Sequence, residues 1–283
     1  MTDRRRTFWL FSLPFLVWLI VFFMVPLGLM AVFSLRTDMR RGVEWTLSLQ
    51  QYQSLFAAGS SWRLLGISVL MAFGIAVTAT VLAYPIAYFL VFQAGPRAGL
   101  YLILLLIPFW TSYLLRVMAW KFMLGSTGAI NSFLIYAGLI DEPLTFLLYN
   151  RTAVVLTLVY VWIPFVALPV MAAMQRIDVS LFEAAFDLGA TPARRFRRVT
   201  FPLSKPGVLA GFFMVFIPTV GEYVTPLLVG GSRGSMYGNI IQDFFTKAAN
   251  WPFGSAMSLV MLACTVLLIA LATRLVDIRS LLE

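Results

Sequence analysis

The sequence predicts an all-α integral membrane protein with six transmembrane helices. Hydrophobic residues make up 61% of its 283 residues and charged residues only 12%. A soluble fold of that composition would expose large apolar patches. Apolar runs of about 18 residues or more recur along the chain, which is the length that a helix needs to cross a bilayer and more than a membrane barrel strand needs.

Six apolar segments account for most of the chain. The first follows Arg4–Arg6; it is too long for a signal peptide and lacks a small-residue cleavage site, so we expect an uncleaved span. In the polar loop after it, 47–56 fits a short amphipathic helix. The predicted spans are about 8–33, 62–92, 100–124, 152–174, 206–229 and 254–273.

The spans predict a single transmembrane domain over 1–283, because no repeat or linker divides them. An even number of spans places both termini on one side of the membrane. Lys and Arg are more frequent on that side, as in Arg4–Arg6 and Arg194–Arg198, than in the opposite loops. Since basic loops stay in the cytoplasm, we expect both termini to be inside.

The composition also bears on function. The net charge of +9 reflects topology and lipid headgroups, and no basic patch interleaved with aromatic residues indicates a nucleic-acid partner. The chain has no histidine and one cysteine, Cys264. It therefore lacks the commonest general base and metal ligand, and we expect neither catalytic residues nor a metal site.

One long polar segment, the loop at 176–205, interrupts the apolar pattern. Within it a short helix around Glu183 is expected to end at Gly189, which tolerates a left-handed conformation. Thr191 then fits the cap of a second helix, which we expect Pro202 to close. Two short helices at an angle would form a knob that can dock into another protein.

A charge within a membrane span normally faces a helix interior or an aqueous path, and two ionisable residues of the predicted spans are candidates for such a place. Arg116 and Glu222 would each lie about 24 Å along a straight helix, at matched depth. We hypothesise that they approach each other or share a water-filled path. The alternative is a purely structural ion pair.

Aromatic residues near these charges could line a path for a cationic solute. Tyr113, Arg116 and Trp120 share one helical face. The alternative for each ring is packing, or a place in the interfacial belt. The candidate pathway residues are Trp110, Tyr113, Arg116, Trp120, Glu222 and Tyr223.

Helix breakers surround Glu222. Pro218, Gly221 and Pro226 are expected to break the fifth span and to turn backbone carbonyls toward a cavity, which is a recurrent way to build a membrane substrate site. Gly207 and Gly211 form a small-xxx-small pattern that favours close helix packing.

The polar loop resembles the EAA signature of permease subunits of bacterial ABC importers. The matching residues are Glu183, Ala184, Ala185, Gly189 and Pro202, with the family's spacing; Val199 and Phe201 stand where the family usually has Ile and Leu. The resemblance implies a type I permease fold. It also implies that this segment, including Asp187, is a cytoplasmic coupling helix that docks on an ATPase.

Three further segments, 108–131, 221–231 and 250–258, resemble the permeases of spermidine/putrescine transporters. Membership implies a bacterial inner-membrane location with a second homologous permease subunit, two cytoplasmic ATPase subunits and a periplasmic substrate-binding protein as partners. The chain has no phosphate-binding loop of the G-x-x-x-x-G-K-[ST] type. We therefore expect no cofactor here, with ATP and Mg²⁺ bound by the partner ATPase.

The sequence leaves the solute open. A polyamine suits the Glu222 carboxylate, with Asp243 as a second candidate. Related importers carry opines, other small amines, aminoethylphosphonate or ferric ion. A secondary transporter driven by an ion gradient is the alternative mechanism, but such proteins usually have more spans or inverted repeats.

Overall fold

The computed structural model describes residues 2–37 and 47–275. That part of the chain is helical, with one isolated antiparallel bridge between Arg36 and Leu47. The helices are α1 (Thr2–Leu19), α2 (Val25–Ser34), α3 (Gln50–Ala57), α4 (Gly59–Phe92), α5 (Ala98–Leu106), α6 (Tyr113–Leu124), α7 (Ala129–Tyr136), α8 (Arg151–Gln175), α9 (Val179–Asp187), α10 (Pro192–Arg195), α11 (Phe201–Val220), α12 (Tyr237–Thr246) and α13 (Trp251–Leu275).

Shorter turns of other helix types join or interrupt these helices. The 3₁₀ segments are Gly95–Arg97, Ile107–Trp110 and Thr145–Leu147. The π segments are Ile20–Met24, Phe196–Thr200 and Pro226–Gly230. The short helix predicted at 47–56 is confirmed as α3.

Two compact units make up the chain, and the expectation of a single domain stays a prediction. The smaller unit comprises Met1–Arg63 and Ile240–Val266. In it, the hydroxyl of Tyr52 bonds to that of Ser34 at 2.8 Å, and the ring of Trp251 meets the ring of Phe33 edge-on at 6.2 Å. The α3 segment and the start of α13 are thereby tied to the end of the first span.

The larger unit comprises Leu64–Asn239 and Leu267–Glu283. Its core is the packing of α8 against α11, where glycines allow close approach. A Cβ on Gly207 would lie 2.6 Å from the Cβ of Ala173, and a Cβ on Gly211 would lie 2.8 Å from a methyl group of Val166. The predicted small-residue contact is therefore confirmed, with α8 as the partner helix.

Five helices are long and apolar enough to cross a membrane in the part of the chain described, and a bent pair makes up to six. The bent pair is Gly95–Trp110 with Tyr113–Tyr136, which turns by 89°. The third span, predicted at 100–124, is therefore bent in the middle. Pro108 supplies no N–H, and Thr111 and Ser112 adopt extended backbone angles that end one helix and begin the next.

The fifth span also differs from its prediction at both ends. One continuous helical stretch runs from Pro192 to Val220, so Pro202 does not close a helix. A π turn precedes it, in which the N–H of Phe201 bonds to the carbonyl of Phe196. This wider turn leaves room for the proline ring and needs no donor from it. At the other end the helix stops at Val220, before Glu222.

We predict that Gly207→Leu destabilises the protein by about 1–3 kcal/mol, because the added side chain must push α11 away from α8. Gly74→Leu is the matched control, since Gly74 also lies within a span and a Cβ there meets no atom within 4 Å. Thermal unfolding of the purified subunit in detergent measures the difference. Equal melting temperatures for the two variants would contradict the close contact.

Candidate functional site

The polar loop between α8 and α11 forms the predicted knob. Its first helix, α9, begins after Asp178, whose carboxylate accepts a hydrogen bond from the N–H of Ser180 at 2.9 Å. That bond lowers the pKa of Asp178 below its ordinary value, so the cap is ionised at neutral pH. The knob therefore starts from a charged helix cap.

Gly189 ends α9 as predicted. Its φ is +69°, its N–H bonds to the carbonyl of Phe186 at 2.8 Å, and the N–H of Ala190 bonds to the carbonyl of Ala185 at 2.9 Å. This pair of bonds is a Schellman motif, which needs a left-handed residue where Gly189 stands. Thr191 caps the next helix, as expected, by accepting a hydrogen bond from the N–H of Arg194 at 3.3 Å.

The knob is anchored to the membrane helices by stacked side chains. The ring of Phe182 meets the ring of Phe92, at the end of α4, at 5.3 Å. The guanidinium of Arg195 lies over the ring of Phe182, 5.5 Å from its centre. The helix α9 is therefore in contact with the end of α4 and with α10.

The outer surface of the knob is unusually apolar for a polar loop. Phe186 is 75% exposed and Leu188 is 85% exposed. The signature residues Glu183, Ala184, Asp187 and Gly189 are exposed as well, whereas Ala185 and Pro202 are half-buried. Exposed apolar side chains on a short, capped helix fit a groove on another protein.

A second feature is the break that follows α11. The helix ends at Gly221, and Glu222 and Tyr223 are not helical. The carboxylate oxygen Oε1 of Glu222 accepts hydrogen bonds from the N–H groups of Val224 at 2.9 Å and Thr225 at 3.1 Å. Glu222 thus caps the helical turn after the break, and the predicted interruption of the fifth span at this point is confirmed.

Residues distant in sequence close around this break. The side-chain amide of Asn239 donates to the carbonyl of Tyr223 at 2.7 Å. A Cβ on Gly238 would lie 2.7 Å from the carbonyl oxygen of Gly221. The hydroxyls of Tyr113 and Thr225 bond at 2.6 Å. The break is therefore held in place by side chains and is not a loose loop.

Arg116 does not form the hypothesised ion pair with Glu222. The ion pair found in the described ranges is Lys247–Asp243, at 2.8 Å. Tyr113 lies close enough to interact with the charges of both Arg116 and Glu222. The two charged residues therefore have Tyr113 as a common neighbour but form no ion pair with each other. The matched-depth argument is also wrong, because it assumed a straight third span.

The Arg116 side chain faces a pocket of about 450 Å³ on α6 and α8. Its guanidinium lies 5.1 Å from the ring centre of Phe109, and its Nε is buried without a hydrogen-bond partner. Trp120 and Tyr160 line the pocket, with ring centres 5.5 Å apart. The pocket therefore combines one cation with two aromatic faces.

The remaining pathway candidates are spread around these two places. Trp110 is 77% exposed and is not part of the pocket lining. Tyr223 is 43% exposed and contributes its backbone carbonyl to the break. The structure thus groups Tyr113 and Tyr223 with Glu222, groups Trp120 with Arg116, and separates Trp110 from that pocket.

Sequence reasoning missed the asparagines. The chain has four, Asn131, Asn150, Asn239 and Asn250, and each bonds to backbone beside an interruption between helices. Asn131, for example, donates to the carbonyl of Gly125 at 2.9 Å and accepts from the N–H of Leu144 at 2.8 Å. Their signal was available, because asparagine is rare in an apolar chain and is a strong capping residue.

Comparisons with known proteins agree with this architecture. The family model of the binding-protein-dependent transport system inner membrane component matches residues 4–279. The chain belongs to that family. It is therefore a transport permease component of the ABC importer class, inserted in the membrane by several apolar helices.

Individual relatives support the same assignment. The spermidine/putrescine transport system permease protein PotB of Haemophilus influenzae is 36% identical over 258 residues, which cover 89% of this chain and 88% of the relative. A chain in the crystal structure of a bacterial ABC transporter that imports the acidic polysaccharide alginate aligns with a TM-score of 0.74 at 16% identity, over 97% of this chain and 96% of that one. At that identity the likeness shows the type I permease fold alone.

A second solved structure is that of a bacterial alginate ABC transporter in complex with alginate pentasaccharide-bound periplasmic protein. A chain of that structure aligns with a TM-score of 0.71 at 18% identity, over 96% of this chain and 95% of that one. A periplasmic binding protein is thus a partner of a protein with this fold.

We predict that Tyr113 and Thr225 are energetically coupled across the break. In a double-mutant cycle with Tyr113→Phe and Thr225→Val, the coupling energy should be about 0.5–1.5 kcal/mol, because either change alone removes the same hydrogen bond. Thermal unfolding of the four forms measures it. Strictly additive effects would mean that this bond does not hold α6 to the turn after Glu222.

Proposed function

We propose that this chain is a permease subunit of an ATP-driven importer of a polyamine of the spermidine/putrescine class. The curated relative that covers 89% of this chain carries that function in its name. The observation in the structure that carries the proposal is the Glu222 carboxylate. It lies at a helix break, at the end of a membrane span, with no cationic side chain paired to it among the residues described.

The chemistry of the break suits an ammonium group. One oxygen of Glu222 is occupied by two backbone N–H groups, and the Tyr113 side chain also interacts with the carboxylate. Because a carboxylate has about four acceptor positions, it can still accept a hydrogen bond from a ligand. The ring of Tyr223 is adjacent in sequence and partly exposed, and aromatic faces attract cations. Asp243 fits this role less well, because Lys247 already pairs with it.

The pocket beside Arg116 has a separate role in this proposal. An arginine repels a polyamine, whereas Trp120 and Tyr160 attract it. A polyamine in this pocket would therefore bind weakly, because the aromatic rings attract it and Arg116 repels it. Weak binding allows a solute to leave the pocket as well as to enter it.

Coupling to ATP is assigned to the knob. Its exposed apolar end, Phe186 and Leu188, would sit in a groove of a cytoplasmic ATPase, and Gly189 and Thr191 fix its shape. Two ATPase subunits would bind ATP and Mg²⁺, and a second homologous permease subunit would complete the pathway. A periplasmic binding protein would deliver the solute. With the knob in the cytoplasm, both termini face inward in the bacterial inner membrane.

We predict that Gly189→Val uncouples the transporter. A β-branched residue is strained at φ +69°, so the Schellman motif should be lost and the knob misplaced. ATP hydrolysis by the assembled complex, stimulated by loaded binding protein, should fall about tenfold or more; strain of about 1–3 kcal/mol is enough for this.

Gly95→Val is the matched control for that experiment. Gly95 has φ +53°, open space around its Cβ position, and a place in the turn between α4 and α5. It carries the same backbone strain away from the knob and should leave stimulation within about twofold. Normal stimulation in the Gly189→Val complex would remove the knob from the coupling mechanism.

We predict that Glu222→Gln reduces spermidine uptake about tenfold or more. The glutamine amide oxygen can still accept from Val224 and Thr225, so the helix cap survives while the negative charge is lost; a hydrogen bond to a charged group contributes about 1.5–3 kcal/mol. Uptake of labelled spermidine into cells or proteoliposomes measures this. Asp243→Asn removes a charge that is already paired and should have a small effect. Wild-type uptake in Glu222→Gln would exclude the carboxylate from the pathway.

A further inference from the structure

A groove on the outer surface of α4 and α11 has no part in the function described so far. It encloses about 460 Å³. Its floor is aromatic, formed by Tyr84, Phe196 and Phe201, whose ring centres lie 5.8–6.2 Å apart. The hydroxyl of Tyr84 is turned inward to Ser204 at 2.9 Å, so the phenol presents its ring and not its polar atom to the groove.

The lining residues are spread along the helical stretch that contains α11, from Phe196 and Arg197 to Val208. Along a helix the eleven steps from Arg197 to Val208 rise about 16 Å, which is close to half the thickness of a bilayer hydrocarbon core. Val81, on the opposite wall, is 64% exposed. The apolar part of the groove is therefore open at the outer surface of the membrane helices.

Positive charge is concentrated at one end of the groove. Arg197 is the charged residue among the side chains that line it in the described part of the chain. The Nζ of Lys205 lies 6.0 Å from the ring centre of Phe201. This lysine starts further along α11 and reaches back toward the helix start, which is how a lysine snorkels from the apolar layer to the headgroup level.

Among the residues that the structure describes, no acidic side chain forms an ion pair with Arg197 or Lys205. Neither α4 nor the chain between Asp187 and Glu222 contains an acidic residue. Arg195 is not counted with these two cations, because its guanidinium lies over the ring of Phe182. Two cations are therefore available to an external anion, Arg197 in the groove lining and Lys205 outside it, beside the ring of Phe201.

We propose that this groove binds an anionic phospholipid, with its phosphate between Arg197 and Lys205 and one acyl chain along Val81 and Val208. The phosphate of such a lipid matches the cations in charge, and its acyl chain matches the apolar lining of the groove in length. A soluble anion would leave the apolar part of the groove exposed. Basic pockets beside membrane helices are a known way to hold acidic lipids. The proposal does not depend on which solute the transporter carries.

The test uses the assembled transporter in detergent, stripped of lipid and titrated with phosphatidylglycerol or with phosphatidylcholine of the same acyl chains. Native mass spectrometry counts the bound lipid. The wild-type complex should retain phosphatidylglycerol preferentially. Arg197→Gln and Lys205→Gln should each weaken its retention by about fivefold, which is the contribution of one cation near an anionic headgroup.

Matched controls separate a site from diffuse charge. Arg198→Gln removes the neighbouring arginine, which does not line the groove, and should change retention by less than about twofold. Val81→Trp should block the acyl chain and lower retention of both lipids, whereas Leu82→Trp, one residue away and outside the lining, should not.

Three results would overturn the proposal. The first is equal retention of the two lipids by the wild-type complex. The second is a loss in Arg198→Gln as large as that in Arg197→Gln, which would mean a non-specific basic surface. The third is failure of Val81→Trp or Arg197→Gln to assemble with the partner subunits while the controls assemble, which would make the groove a protein interface.

Discussion

Backbone hydrogen bonding at the helix breaks is the constraint on which the rest of this structure depends. Inside a bilayer no water replaces a lost helical hydrogen bond, so each interruption must find partners within the protein. At the break after α11 those partners are the carboxylate of Glu222 and the amide of Asn239. At the turn after α6, Asn131 serves three backbone groups. The side chains of Glu222, Asn239 and Asn131 therefore supply the hydrogen bonds that the helices lack at these breaks.

This constraint places the functional chemistry as well. A carboxylate that caps a helical turn is held in one position, so the charge of Glu222 is fixed at the break. The knob follows the same logic outside the membrane, since Gly189 and Thr191 complete the hydrogen bonds of two short helices. Stacking of Phe182 on Phe92 then connects that rigid element to α4. A permease of an ABC importer needs both features, a place for the solute within the spans and a rigid contact surface for the ATPase.

The sequence predicted the elements with local causes. Composition predicted the membrane helices, Gly189 and Thr191 predicted the shape of the knob, and Gly207 and Gly211 predicted a close helix contact. Proline was the residue that misled. Pro202 was expected to end a helix, but a π turn accommodates it, whereas Pro108 stands at a bend of 89° that the apolar pattern conceals. Hydropathy measures how apolar a segment is and carries no information on its direction.

Contacts between distant segments were beyond sequence reasoning. The pairing of Tyr113 with Thr225, and the fit of Gly238 against Gly221, depend on how the helices pack. The suggested pair of Arg116 and Glu222 was reasonable from charge alone, since the two have opposite charges and each lies within a predicted apolar span. The structure instead satisfies Glu222 through backbone N–H groups and places Arg116 over an aromatic ring.

The most direct test of the account is solute uptake by purified components in proteoliposomes. The account predicts that labelled spermidine accumulates only when this subunit, its partner permease, the ATPase, ATP and the loaded binding protein are all present, and that leaving out any one abolishes accumulation. Accumulation driven by this subunit alone, with an ion gradient and without ATP, would contradict it.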